Sequence, residues 1–189
     1  MVDPAYDWSG FYIGGHVGYL WGKTRVVDDG VLTESGAPTD GVVGGVLAGY
    51  NWQKGLLVYG LEGDFGAADA LGHGIATIAT PNLYHLMWTS HVVGKLGYAS
   101  GSWLFFVTGG LGVADLDFIE GTTTSRMLGI YTGVSVGAGI EHAFSRNLIG
   151  RLQYIYDDFG SKNYTGLDGG IYHISLTTQT LRAALSWKW

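Results

Sequence analysis

The chain has 189 residues, of which 33 are glycine, 14% are aromatic and 14% are charged, and its formal net charge is −6. Ordinary soluble domains carry about 25% charged residues, so a soluble protein of this composition would have too few charges to cover its surface. The acidic balance excludes the basic surface that nucleic-acid binding requires, and the lack of cysteine excludes disulfide frameworks, thiol nucleophiles and cysteine zinc sites.

The length predicts a single domain over residues 1–189, because a chain of this size can bury one core. No apolar run approaches the roughly 18–20 residues that a membrane-spanning helix needs. The first ten residues, MVDPAYDWSG, lack the basic start and apolar centre of a signal peptide, as we expect of a mature sequence that carries an initiator Met.

Apolar residues alternate with small or polar residues along most of the chain. In the first such segment, Phe11, Ile13 and Val17 share one face, and Tyr12 and His16 share the other. A period of two predicts a β-strand with one apolar and one polar face. The pattern recurs in eight segments, which in chain order are residues 8–22, 41–53, 56–67, 84–99, 103–114, 129–144, 148–158 and 181–189.

The connections between these segments alternate in length. Tight turns are predicted near residues 54–55, 100–102 and 145–147, and longer connections near residues 24–40, 68–83, 115–128 and 159–172. This alternation predicts an up-and-down barrel with both ends of the chain at the short turns. Residues 70–85, which include most of the second long connection, are unusually apolar, so we expect them to extend the barrel as a hairpin rather than to bury against a partner. Helices are disfavoured, because each glycine costs about 1 kcal/mol in a helix interior.

The apolar face carries almost every Trp, Val, Ile and Leu, with aromatic residues near the segment ends. Lipid-facing surfaces have this arrangement, since indole and phenol rings settle at the headgroups. A soluble barrel would show the reverse, with apolar residues inside and charges outside. We therefore predict an all-β fold: an eight-stranded antiparallel up-and-down transmembrane β-barrel with short periplasmic turns and four longer extracellular loops.

The interior of an eight-stranded barrel is only wide enough for side chains to fill. The charged side chains on the inward face are Glu62, Asp64, Glu141, Asp157, Lys95, Arg151, Arg182 and Lys188. Buried charges must be paired, so we predict an ionic network around Glu62, Glu141, Arg151 and Arg182. Two interpretations remain open: a polar plug that holds the barrel together, or a narrow porin-like channel lined by the same charges.

Together these segments resemble the small eight-stranded outer-membrane β-barrels of alphaproteobacteria, which are porin-like surface antigens with an OmpA-like transmembrane domain. The resemblance covers all eight segments and rests on stretches such as DWSGFYIGGHVGYLWG, VVGGVLAGYNWQ, WLFFVTGGLGVA, VSVGAGIEHAF and LRAALSWKW. Two inward positions depart from the family pattern, since Val93 and Gln153 stand where an Arg and an acid are frequent.

The resemblance implies a location in the outer membrane of a Gram-negative bacterium, with a structural and surface role in the cell envelope. It implies lipid and lipopolysaccharide as neighbours, and residues 1–7 as a periplasmic N-terminal segment. It also implies insertion by the outer-membrane assembly machinery, which would recognise the C-terminal aromatic Trp189, with Trp187 beside it.

Histidines are the only candidate ligands for a metal or haem. None of the six stands in a metal-binding motif such as H-E-x-x-H. Some members of the resembling family are described as haemin binders, so a haem-binding surface receptor is a further alternative, with His85 and His173 as candidate ligands. No catalytic motif such as G-x-S-x-G is present, and we expect neither an enzyme nor a resident cofactor.

Overall fold

A computed structural model of the chain describes the backbone of residues 6–28, 31–73, 83–119, 126–165 and 171–189, and the side chains of residues 6–22, 40–68, 86–115, 130–161 and 175–189. It contains eight strands: β1 (Gly10–Asp28), β2 (Val31–Lys54), β3 (Leu57–His73), β4 (Leu83–Ser100), β5 (Trp103–Ile119), β6 (Arg126–Ala143), β7 (Leu148–Thr165) and β8 (Ile171–Lys188). Each strand pairs antiparallel with its sequence neighbours, and β8 pairs with β1, which closes the barrel. This confirms the predicted fold class. No helix in the described residues is long and apolar enough to cross a membrane.

The strands run further than the alternation predicts at the end of the barrel that carries the longer connections, here called the loop end. Pairing between β1 and β2 continues past Lys23, which lies opposite Pro38, and β3 extends to His73. Outward side chains need not be apolar beyond the lipid, so the period-two pattern fades there while backbone pairing continues. The predicted hairpin extension at residues 70–85 is strand up to His73 and again from Leu83, and residues 74–82 lie outside the described residues.

The opposite end, here called the turn end, has connections of only a few residues. Gly55 and Gly101 follow β2 and β4 with φ angles of 62° and 59°. Only glycine adopts this left-handed conformation without a steric cost, so a tight reversal is available at both positions. The turn between β6 and β7 uses Ser145, whose hydroxyl accepts hydrogen bonds from the backbone N–H groups of Asn147 and Leu148.

The outer face is an aliphatic band with aromatic side chains at both edges. At the loop-end edge, the indole N–H of Trp21 donates to Gln179 and that of Trp88 donates to Asp115, over 3.2 and 3.1 Å. At the turn-end edge, aromatic rings pack on one another, as Trp52 does on Tyr59 with centroids 5.7 Å apart. Such rings keep one side in lipid and one side near headgroups, so the band marks the membrane-spanning height of the barrel.

The interior, or lumen, contains the polar and charged network that the sequence predicts, and it also contains buried apolar clusters. A charged middle layer lies between two buried apolar clusters. The turn-end cluster consists of Trp8, Val58, Ala99, Leu104, Phe106, Ala143 and Ile149. The loop-end cluster consists of Leu20, Val43, Ala68, Leu86, Ala114, Tyr131, Phe159 and Leu176. The alternation alone marks these apolar residues as inward and does not show that they form two clusters.

Trp8 belongs to the turn-end cluster because the chain before β1 folds into the mouth of the barrel. Its side chain is fully buried, although the alternation places it in the first strand. The Trp8 backbone N–H donates to the side-chain oxygen of Gln53 over 2.7 Å, and the Tyr6 hydroxyl donates to the Arg146 carbonyl over 3.0 Å. Burial, with the nearby Glu141 charge, raises the pKa of Tyr6 to about 12. The described N-terminal residues therefore close the turn end.

Replacement of Trp8 should destabilise the barrel. We expect Trp8→Ala to lower the free energy of unfolding by about 3–5 kcal/mol, because it removes a large buried side chain and leaves a cavity. Trp8→Phe, which retains a ring, should cost clearly less. Urea titration of protein refolded into vesicles, followed by circular dichroism, measures both values. Equal stability of Trp8→Ala and the wild type would show that this segment does not seal the mouth.

Candidate functional site: the charged lumen network

The middle layer of the lumen holds six of the eight charged side chains that the sequence analysis places on the inward face. All six are buried there: Glu62, Asp64, Lys95, Glu141, Arg151 and Arg182. They come from β3, β4, β6, β7 and β8, since alternate residues of each strand point inward. Lys188 also points inward but lies at the mouth, with its ammonium 5.3 Å from the ring centroid of Tyr6.

The central contact joins Glu62 to Arg151. Two guanidinium nitrogens donate to the two carboxylate oxygens over 2.7 and 2.6 Å. Bidentate pairs of this kind are the strongest charge-assisted hydrogen bonds in proteins. In an eight-stranded barrel, β3 and β7 are four strands apart, so this pair links opposite walls.

The part of the network nearer the turn end is completed by Glu141, Lys95 and Tyr12. Glu141 accepts hydrogen bonds from Lys95 over 2.9 Å and from Nε of Arg151 over 2.7 Å. The Tyr12 hydroxyl donates to Glu62 over 2.6 Å and accepts from Lys95 over 3.1 Å. The Lys95 ammonium also lies 4.7 Å from the centroid of the Tyr12 ring, a cation–π distance. Each buried charge here therefore has at least two partners.

The part of the network nearer the loop end consists of Asp64, Arg182 and Gln153. Arg182 donates to Asp64 over 2.9 Å, and it also donates twice to the side-chain oxygen of Gln153, over 3.1 and 3.0 Å. Gln153 stands where the resembling family often has an acid. Here its neutral carboxamide oxygen accepts the hydrogen bonds from Arg182. Its amide nitrogen lies 3.4 Å from the Thr108 hydroxyl. Arg182 also lies 3.5 Å from a carboxylate oxygen of Glu62, so it contacts two charged partners and one neutral partner.

His91 lies between the carboxylates of Asp64 and Asp157, on the loop-end side of the network. Its Nδ1 is 2.8 Å from Asp64, and its Nε2 is 3.3 Å from Asp157, close enough for an ion pair although not aligned as a hydrogen bond. Asp157 also accepts a hydrogen bond from Thr178 over 3.0 Å. The described network contains three bases, Lys95, Arg151 and Arg182, and one acid more than that: Glu62, Asp64, Glu141 and Asp157. A protonated His91 would supply the missing positive charge.

Sequence analysis did not select Tyr12, His91 or Gln153 as members of this network. The signal available in the sequence was that the alternation places all three side chains on the inward face. Parity does not show which inward polar groups meet, because that depends on how neighbouring strands are staggered around the barrel.

The candidate haem ligands His85 and His173 lie on β4 and β8, and their side chains are outside the described residues. Their backbones pair with Asp117 and Asn163 of neighbouring strands. Among the residues that the structure describes, no group of three or more His, Cys, Asp or Glu side chains is arranged to hold a metal ion. Haem or metal binding through His85 and His173 stays a prediction.

A closed eight-stranded barrel with an apolar outer band, aromatic edges and a charged lumen defines the class of outer-membrane β-barrel proteins. The sequence model of the family described as "Outer membrane protein beta-barrel domain" matches residues 2–188. The chain belongs to that family. It is therefore a protein of a Gram-negative outer membrane, surrounded by lipid, with the turn end periplasmic and the loop end extracellular.

Named relatives agree with this assignment. A "22 kDa outer membrane protein" of Rhizobium leguminosarum bv. viciae is 36% identical over 171 residues, which are 90% of this chain and 73% of the relative. A "25 kDa outer-membrane immunogenic protein" of Brucella abortus is 28% identical over 188 residues, which are 99% of this chain and 82% of the relative. The crystal structure of OprG from Pseudomonas aeruginosa superposes with a TM-score of 0.63 at 9% identity, covering 98% of this chain and 99% of OprG. At that identity the structural likeness concerns the fold alone.

A double-mutant cycle tests the cross-lumen pair. Arg151→Met leaves Glu62 buried without its main partner, so we expect it to lower the free energy of unfolding by about 3–5 kcal/mol. Addition of Glu62→Gln should then cost much less than it does in the wild type, because the two losses share one interaction. Unfolding in phosphatidylcholine vesicles measures all four corners of the cycle.

The matched control is Arg146→Met, which removes an exposed arginine in the turn between β6 and β7. Its stability should stay within about 0.5 kcal/mol of the wild type. Additive losses for Arg151→Met and Glu62→Gln would show that the two side chains are not energetically coupled.

Proposed function

We propose that this protein is a sealed structural barrel of the outer membrane. In this proposal the charged lumen braces the wall, and the extracellular end serves as a surface of the cell envelope. The observation that carries the proposal is the position of the charges between two apolar layers. Water and ions would have to cross both layers, and in the described part of the barrel each layer consists of buried side chains.

The alternative of a narrow channel receives less support from the same residues. The lumen charges pair directly with one another, at 2.6–2.9 Å for the main contacts of Glu62, Glu141 and Asp64. A conducting channel needs charged groups that water and ions can reach. Conduction would therefore require the network to rearrange as well as both apolar layers to open.

A non-enzymatic role is part of the proposal. The relatives are named as outer membrane and immunogenic proteins, which supports a role at the cell surface. The carboxylates Glu62 and Asp64 are the obvious acid–base candidates in the lumen. Both are buried and are already engaged by Arg151, Arg182 and His91, so neither is placed to meet a substrate.

Conductance in a planar lipid bilayer tests the sealed barrel. We expect protein that is shown to be folded by its heat-modifiable mobility in gels to give no discrete conductance steps. Arg182→Ala and Glu141→Ala should be equally silent, because the two apolar layers remain in place. Reproducible steps in the wild type that either substitution alters would make the protein a pore lined by these charges.

We further propose that the assembly machinery of the outer membrane recognises the last residues of the chain, and that lipopolysaccharide is the outer-leaflet neighbour. Trp189 lies where β8 closes on β1. Its backbone N–H donates to the Phe11 carbonyl over 3.0 Å, and the centroids of the two rings are 5.7 Å apart. Trp187 is exposed on the same face.

Trp189→Ala should lower the fraction of protein that becomes folded in the outer membrane of cells. Trp103→Ala removes an exposed indole at the same end of the barrel without touching the last strand, and it should assemble normally. Semi-native gels of membrane fractions report both folded fractions. Equal assembly of the two variants would exclude Trp189 as the signal.

A further inference from the structure

The His91 ring connects two acidic side chains that come from different strands of the barrel. Its Nδ1 is 2.8 Å from a carboxylate oxygen of Asp64 on β3, and its Nε2 is 3.3 Å from one of Asp157 on β7. All three side chains are buried. We propose that His91 is a proton-binding site: its imidazole carries a proton on both ring nitrogens in the folded barrel, and this proton links the stability of the barrel to pH.

The positions of the two carboxylates require a proton on each ring nitrogen of His91. A neutral imidazole has one N–H donor and one nitrogen lone pair, so it can serve only one of the two acids. The other carboxylate would then face that lone pair, and the contact between them is repulsive in a buried site. The doubly protonated ring has two donors, and it can serve Asp64 and Asp157 together.

Asp157 depends on this proton more than Asp64 does. Asp64 also accepts a hydrogen bond from Arg182 over 2.9 Å. Asp157 accepts one from the Thr178 hydroxyl at Oδ2, whereas its Oδ1, the atom that faces His91, has no hydrogen-bond partner among the described residues. Without the proton, Asp157 would be a buried carboxylate with a single neutral partner, and that state is strongly destabilising.

The other charged and titratable groups around His91 do not replace its positive charge. On the strands around His91, the buried inward side chains of this kind are His16 of β1, Asp64 of β3, Tyr131 of β6, Asp157 of β7 and Arg182 of β8. The neighbouring position on β5 is Gly112, and the partner of His16 on β2 is Gly45. Arg182 is the one permanent base in this set, and it already serves Asp64 and Glu62.

The expected response to pH is confined to the loop-end part of the network. Histidine is the only side chain whose unperturbed pKa lies near neutral pH, and the cross-lumen pair of Glu62 and Arg151 contains none. His16 is a second buried imidazole on the inward face. Neither of its ring nitrogens has a hydrogen-bond partner in the described part of the chain, so no carboxylate holds a second proton on that ring.

The pH dependence of unfolding tests the proton site. His91 of the unfolded chain loses its proton above about pH 6.5, whereas His91 of the folded barrel keeps it, so unfolding releases one proton. Relative to His91→Gln, the unfolding equilibrium constant of the wild type should therefore rise about tenfold for each unit of pH. His16→Gln, the matched control, should keep the dependence of the wild type. Urea titration in phosphatidylcholine vesicles from about pH 7 to about pH 8.5 measures all three proteins.

Two further measurements at a single pH separate this site from a merely structural histidine. Asp157→Asn should lower stability in the wild type, where it removes a partner of the charged ring. In the His91→Gln background it should raise stability, because it removes a buried acid that has lost its base. Nitrogen-15 NMR of the folded protein in detergent micelles at about pH 7.5 should show protons on both ring nitrogens of His91 and on one nitrogen of His16.

Three results would overturn the proposal. One is an equal pH dependence of unfolding in the wild type and His91→Gln. Another is a loss of stability when Asp157→Asn is added to His91→Gln. The third is a single protonated ring nitrogen on His91 in the NMR spectrum, which needs no variant to fold. None of these results depends on whether the lumen conducts, so the proton site and the sealed barrel are tested separately.

Discussion

The bidentate ion pair between Glu62 and Arg151 is the contact on which the interior of the barrel depends. It joins two strands on opposite sides of the lumen, so it acts as a brace across the wall as well as a pairing of charges. Both groups are buried, and a buried charge without a partner is strongly destabilising. The remaining members, including Tyr12, Lys95 and Glu141, supply the hydrogen bonds that this one pair cannot provide by itself.

The apolar layers on the loop-end and turn-end sides of the network support that ion pair. They keep water from the charges, and ion pairs are stronger in such a low-dielectric environment. Trp8 shows how closely the two features are connected: a residue before the first strand closes the mouth next to Phe106, whose ring lies 5.0 Å from the Lys95 ammonium. A lumen built in this way gains stability from being closed, which is consistent with a structural role.

The abundance of glycine has a physical origin in the same lumen. Large inward side chains are faced by glycine on another strand. Gly18 lies against Arg182, Gly66 against His16, and Gly112 against His91, with a Cβ atom at each placed 2.8–3.2 Å from its neighbour. Glycine therefore makes room for the network.

The sequence by itself determined the strand identity, the number of strands, the inward and outward faces and the family. These follow from the alternation of apolar and polar residues, which is a local property that every strand carries in its own residues. The tertiary structure decided which groups meet: Arg182 with Gln153 as well as Asp64, and His91 between Asp64 and Asp157. It also decided the position of Trp8 and the extent of the strands beyond the lipid. Those features depend on the stagger of the strands around a closed barrel and on contacts between distant residues, and a period of two contains no information about either.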